Sequence, residues 1–190
     1  DMRMDRGAPL TAADVVNGYS EERLAGIFRD YGEERFAKRI AAGIVRERAK
    51  DPIVRTGRLA EIVTDSIPAK FRYGGPPARK VFQAIRIEVN GELEGLEEAV
   101  RGLALRLKEG GRICILTFHS LEDRIVKNVF RDLASGCVCD KSLPVCVCGR
   151  KQELKIITHK PIVAGEAERE RNSRSASAKL RIAERVTEYR

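Results

Sequence analysis

In Gly110-Gly111-Arg112-Ile113-Cys114-Ile115-Leu116-Thr117-Phe118-His119-Ser120-Leu121-Glu122-Asp123-Arg124, a Gly-Gly turn leads into an apolar run that stops at a His-Ser pair. Ile113 to Phe118 holds β-branched residues and no charge, and so reads as a buried strand. Cys114 inside it reads as a small buried hydrophobe. Ser120 stands before Leu121-Glu122-Asp123 and reads as the N-cap of a helix running to Leu133, with carboxylates in its first turn. His119 and Ser120 thus lie where a strand ends and a helix begins. In open α/β sheets, ligands bind beyond the carboxyl ends of the strands.

Outward from this stretch the chain has two textures. Residues 10–67 carry helical periodicity with short connections and no strand pattern. Thr11 and Ser20 are caps for the first two helices, residues 33–50 form a third, and Thr56 opens a fourth that ends before Pro68. A Gly- and Pro-rich loop, 68–78, separates these from helices beginning near Arg79 and running from Glu92 to Lys108. Beyond the central strand and helix come a Cys-rich loop at 136–149, a strand over Leu154 to Ile157 extended to Ile162, a charged connector Glu166 to Arg171, and an alternating strand Ala178 to Ala183. Three strands with helices hardly make a two-faced parallel sheet, so a partner or a further segment is expected to complete it.

The 190 residues suffice for one or two domains, and 43% hydrophobic with 34% charged residues fits a soluble globular protein. No apolar run approaches a membrane span and no signal peptide precedes the first helix, so a cytoplasmic protein without membrane partners is expected. The start at Asp1 instead of Met reads as a fragment or a processed chain. The net charge of +8 is concentrated at the end: residues 141–190 hold 12 Lys and Arg against 6 Asp and Glu. Such a segment fits a polyanion such as nucleic acid, or simply a solvated surface.

Cys137-x-Cys139-x6-Cys146-x-Cys148 offers four thiolates in two pairs, which could hold a structural zinc ion, form disulfides or remain thiols. His119 is a general base, a substrate-binding group or a structural residue holding its loop. Arg124, one helical turn beyond Ser120, is a binding candidate or half of a surface pair with Asp123. Arg86 and Asn90 lie four apart on one helical face and could reach a common ligand. Arg171, Arg174, Lys179 and Arg181 are phosphate contacts or a solvated edge-strand face.

Five segments then carry a likeness: Asp1-Met-Arg-Met-Asp5; Tyr31-Gly-Glu-Glu-Arg-Phe-Ala-Lys-Arg-Ile40; Phe82-Gln-Ala-Ile-Arg-Ile-Glu-Val-Asn90; Phe118-His-Ser-Leu-Glu-Asp-Arg-Ile-Val-Lys127; and Ser177-Ala-Lys-Leu-Arg-Ile-Ala-Glu-Arg185. In this order they resemble the bacterial 16S ribosomal RNA cytosine-N4 methyltransferases, which use S-adenosylmethionine to methylate an exocyclic amine in the decoding centre. The resemblance implies an α/β fold: the C-terminal part of a class I (Rossmann-like) methyltransferase sheet plus an inserted all-helical domain. Residues 1–78 would be the inserted, substrate-recognising domain with its lead-in loop, and 79–190 the C-terminal part of the methyltransferase domain. The family's Gly-rich cofactor motif falls upstream of Asp1, so no cofactor-binding residue is expected in this chain, which alone should be inactive. His119 and Ser120 become catalytic candidates. Arg3, Asp5, Arg86, Asn90, Arg124, Arg171 and Arg174 become substrate-binding candidates. Pro76 stands where the family usually has His. The implied partner is 16S ribosomal RNA in the small ribosomal subunit, with a homodimer also to be tested. The competing expectation is a non-catalytic RNA-binding or zinc-stabilised module.

Overall fold

The computed structural model describes residues 1–72, 75–137, 139, 145 and 147–186. They fall into two compact units, Asp1–Glu92 and Leu93–Arg190.

The first unit is helical: α1 (Ala12–Gly18), α2 (Glu21–Asp30), α3 (Ala37–Arg48), α4 (Thr56–Ser66) and α5 (Arg79–Asn90). Thr11 caps α1 in a reciprocal box with Asp14, and the Ser20 hydroxyl accepts the Arg23 amide at the start of α2. The third helix begins at Ala37 instead of residue 33, because Glu33 sits at φ 49° and breaks the helical path. Leu24, Phe28, Ile40, Ile44, Val63, Val81 and Ile85 recur at helical spacing and form a fully buried core. Val81, Ala84 and Ile85 place α5 inside that core. The division therefore falls after Glu92 and not at residue 78. Gly91 at φ 58° and Gly95 at φ 67° turn the chain out of α5. That turn delays α6 to Leu96–Leu105, shorter than the 92–108 span expected.

The second unit holds α6, β1 (Arg112–Thr117), α7 (Ser120–Ala134), β2 (Leu154–Ile156), β3 (Ile162–Val163), α8 (Glu166–Arg171) and β4 (Lys179–Arg185). The sheet order is β1-β4-β2, with β3 also pairing β4, and every pairing is antiparallel. β1 and β2 are consequently parallel to each other, joined through α7, with β4 between them. β4 is central, not an edge strand, so Lys179 and Arg181 do not form a solvated edge. The single strand expected over 154–162 is split into β2 and β3. Between them the Thr158 hydroxyl accepts the Ile182 amide at 2.9 Å.

Ile113, Val126, Val129, Phe130, Leu133, Leu154 and Ala183, with Val100 and Ala104 of α6, make the core on one face of the sheet. On the other face Cys114 is exposed, and Leu116 and Phe118 keep 54% and 52% of their surface. β1 is therefore half-buried with alternating faces, not a strand buried on both sides, and Cys114 is not a core residue. Leu180 and Ile182 of β4 lie opposite Leu116 and Cys114 on that same face, half-buried. Among the described residues no helix is long and apolar enough to cross a membrane.

Candidate functional site

The junction of β1 and α7 is shaped by His119, not Ser120. His119 takes the extended backbone of an N-cap, and its Nδ1 accepts the Glu122 amide at 3.4 Å. The Glu122 carboxylate in turn accepts the amides of Phe118 at 2.8 Å and His119 at 3.2 Å. This is a capping box built on His. A ring that accepts at Nδ1 carries its proton on Nε2 when neutral. Nε2 is buried, lies 3.3 Å from Glu122 Oε1, and makes no hydrogen bond among the described residues. Ser120 is the first residue of α7, half-buried beside this cap.

Asp123, one turn on, is buried rather than part of a surface pair with Arg124, which is exposed. Its carboxylate receives a two-pronged contact from Arg181 of β4, Nε at 2.6 Å and Nη2 at 3.0 Å, with Lys179 Nζ at 3.7 Å. The Arg181 hydrogen bond, and then the charges of Arg181, Lys179 and Lys127, hold the Asp123 carboxyl below the usual carboxylate range against the opposing effect of burial. Arg181 is thereby committed to the sheet and is not a phosphate contact on an open face.

A cavity of about 310 Å³ opens beside this pair, lined by Lys127 and Arg131 of α7, His159 and Arg181, with Phe130 and Ile156 as apolar walls. The sequence reading missed it. Lys127 and Arg131, four apart, look like the ordinary polar face of a helix until β2 and Thr158-His159 are folded against them. Arg171 and Arg174 are exposed, and the Arg171 guanidinium rests on the Ala167 carbonyl.

In the first unit the Met-Arg-Met loop is tied to α5. Asn90 Oδ1 accepts the Met4 amide at 2.7 Å, and its Nδ2 donates to the carbonyls of Met2 at 2.9 Å and Arg86 at 2.8 Å. Met2 has φ 66°, a left-handed conformation that costs a non-glycine residue roughly 1–3 kcal/mol and persists only where neighbours enforce it. Arg3 closes on the Asp1 carboxylate and on the carbonyls of Arg6 and Ala8. Asp5 accepts the Gly7 amide. Arg86 is paired with Glu92 at 2.8 and 2.9 Å, so Arg86 and Asn90 do not converge on one ligand site. Behind Met2, a cavity of about 80 Å³ is lined by Val16, Ile53, Leu59, Phe82 and Ile85.

Of the Cys set, the sulfurs of Cys137, Cys139 and Cys148 lie within 4.8 Å of one another. Cys146 lies outside the described residues.

The crossover from β1 through α7 to β2, with polar side chains at the carboxyl end of β1, gives this unit an α/β arrangement, the class whose strand ends bind ligands in open sheets. The sequence pattern of the MraW methylase family matches residues 1–186, and the chain belongs to that family of methyltransferases. It is 56% identical over 187 residues to the ribosomal RNA small subunit methyltransferase H of Carboxydothermus hydrogenoformans. It is 54% identical over 187 residues to the proteins of the same name from Clostridioides difficile and Halothermothrix orenii. Each match covers 98% of this chain and 60% of the relative, so the chain spans about three-fifths of the length of these proteins.

Proposed function

We propose that the whole protein to which this chain corresponds transfers a methyl group from S-adenosylmethionine to the exocyclic N4 of a cytosine in the decoding centre of 16S ribosomal RNA. The observation that carries this reading is the match to ribosomal RNA methyltransferases over 98% of the chain. The bare face of the sheet supports the architecture. Doubly wound sheets carry helices on both faces. Here α6 and α7 cover one, while Leu116 and Phe118 stay open on the other. We read that face, and the edge of β1 that pairs with no described strand, as the place where the remainder of a class I sheet packs, with residues 1–92 as the helical insertion that meets substrate.

The amine of cytosine is a weak nucleophile because its lone pair is delocalised into the ring. Catalysis is then mainly a matter of aiming that lone pair at the methyl group and taking up its proton in a dry site. S-adenosylmethionine supplies the activated methyl when bound. Among the described residues the turn from β1 into α7 contains no glycine, so nothing there offers the close backbone approach that a nucleotide-like cofactor uses. We place the main cofactor contacts in the part of the relatives' length that this chain does not match, and take the chain alone to be inactive. Its own residues shape the substrate side. His119 and Glu122 fix the junction that presents Ser120, and Asn90 fixes the loop bearing Arg3 and Asp5. Lys127 and Arg131 at the 310 Å³ cavity, with Arg171 and Arg174, offer positive charge to RNA phosphates.

The full-length protein incubated with labelled S-adenosylmethionine and unmethylated small subunits is expected to yield N4-methylcytidine in 16S RNA digests. Its absence from those digests would remove the reading. For the 190-residue chain, calorimetric titration with S-adenosylmethionine is expected to give no heat of binding, and micromolar affinity would place cofactor contacts within it. Arg171→Ala with Arg174→Ala is expected to weaken RNA binding about equally for all sequences and to flatten the salt slope by roughly 1–2.

A further inference from the structure

The connection from Ala134 of α7 to Leu154 of β2 is long beside the median of about 4–6 residues for links inside compact domains. Its base is fastened. The Glu153 amide donates to the Leu133 carbonyl at 2.9 Å, Arg150 pairs with Asp132 at 2.9 Å, and the Ser135 hydroxyl donates to the Cys137 carbonyl at 2.8 Å. Asp132 is itself held by Arg101 of α6 at 2.7 Å. The two arms that leave this base bring Cys137 and Cys148 together. Burial does not hold them there, because Val145 and Val147 keep 70% and 77% of their surface. Segments that cannot build a core are commonly fastened by metals or disulfides.

The sulfur geometry separates these two. Cys137 and Cys148 have their sulfurs 3.8 Å apart, and no disulfide joins the described cysteines. A disulfide needs about 2.05 Å. Four thiolates around zinc at about 2.3 Å have tetrahedral edges of about 3.8 Å. The third sulfur, of Cys139, lies within 4.8 Å of both. Two backbone amides also point at sulfur: Cys139 N–H at Cys137 Sγ and Val147 N–H at Cys139 Sγ, each 3.4 Å. Both contacts keep these sulfurs turned toward the same small space.

We propose that Cys137, Cys139 and Cys148 bind a zinc ion as thiolates and that the ion clips the α7–β2 connection shut. Three soft donors within 4.8 Å of one another select zinc over the oxygen-seeking cations. Each ligand gives up its thiol proton on binding, so the site weakens in acid. The sequence carries a further thiol at Cys146. The proposal stands apart from the methyl-transfer reading and uses none of its residues.

Elemental analysis of the chain, purified without chelator or histidine tag and dialysed exhaustively, is expected to find one zinc per chain. Cys137→Ser and Cys148→Ser should each lose it, and Cys114→Ser, exposed on β1, should keep it. Replacing zinc with cobalt should bring up sulfur-to-cobalt charge-transfer absorption in the unaltered chain, a readout that does not depend on any variant folding. Zinc at background together with no cobalt charge-transfer band would overturn the site. So would full zinc occupancy in the Cys137→Ser, Cys139→Ser, Cys148→Ser triple variant, or a chain that emerges from fresh lysate with these thiols oxidised to disulfides.

Discussion

The Asp123–Arg181 pair fixes α7 to the middle of the sheet, and both side chains are nearly out of water. Removing one partner of a buried pair leaves the other charge unmatched, which costs about 3–5 kcal/mol. Asp123 keeps 12% of its side-chain exposure, so Asp123→Ala is expected at the lower end, about 3 kcal/mol by denaturant melt. Because the folded carboxyl sits below its ordinary value, its contribution is complete above the unfolded value of about 3.9 and is lost as pH falls through the depressed folded value. The unaltered chain should therefore lose stability below about pH 4 more steeply than Asp123→Asn does. A parallel acid dependence in both would show that Asp123 does not carry it. His119→Ala should cost about 1 kcal/mol through the lost cap, with His119→Asn recovering most of it in a thermal melt, since Asn is a preferred cap. Full recovery of stability with a persistent loss of methylation in the full-length protein would give His119 a direct part on the substrate side. The strand–helix junction could be seen in the residues, but not which residue capped it. Glu122 stands three after His119 and Asp123 three after Ser120, so both spacings fit a capping box, and Ser outranks His as a cap.

At the scale of elements, helix starts could be read closely wherever a cap met the first turn, as in α1 and α2, and α4 could be read from its apolar stripe although Arg55 gives it no side-chain cap. β1 shows where such reading fails. A run of apolar residues is the same on paper whether one face is covered or two, and the covering helices are remote in sequence. Arg181 failed for the same reason. An alternating basic strand looks like an exposed edge unless the partner carboxylate, 58 residues away, is known. The open face of β1 has a measurable consequence. Leu116→Lys with Phe118→Lys should lower stability by no more than about 0.5 kcal/mol in a denaturant melt, as for surface changes. A large loss of stability would mean that this face is covered within the chain. Asn90→Ala should cost about 1–2 kcal/mol and speed hydrogen exchange at the Met4 amide, because three hydrogen bonds to the Met2–Met4 turn and Arg86 go with it.

For the molecule as a whole, each unit has a core of its own. Residues 1–92 expressed alone are expected to show helical circular dichroism and one cooperative melt. A fragment cut at residue 78 would lack α5 and with it Val81, Ala84, Ile85 and Val89 of that core, and should not melt cooperatively. Helices α1 to α4 were visible in the sequence because each carries a strong period, but the unit to which α5 belongs was not, because its core partners lie in α1 and α2, far back in the chain. Nor was the sheet order, since β1, β2 and β3 all pair with a strand that comes after them.

That order also has a timetable. β1 is complete at Thr117, but the strand it bonds to does not begin until Lys179, about 60 residues later. At synthesis rates of about 5–20 residues per second, the wait is roughly 3–12 s. Through that interval a nascent chain has already emitted Ile113, Ile115, Leu116 and Phe118 while β4, the strand β1 pairs with among the described residues, does not yet exist. A ribosome paused anywhere before β4 holds out an apolar strand whose β4-facing edge is unsatisfied, so translation speed between these two strands sets how long that edge is open to aggregation.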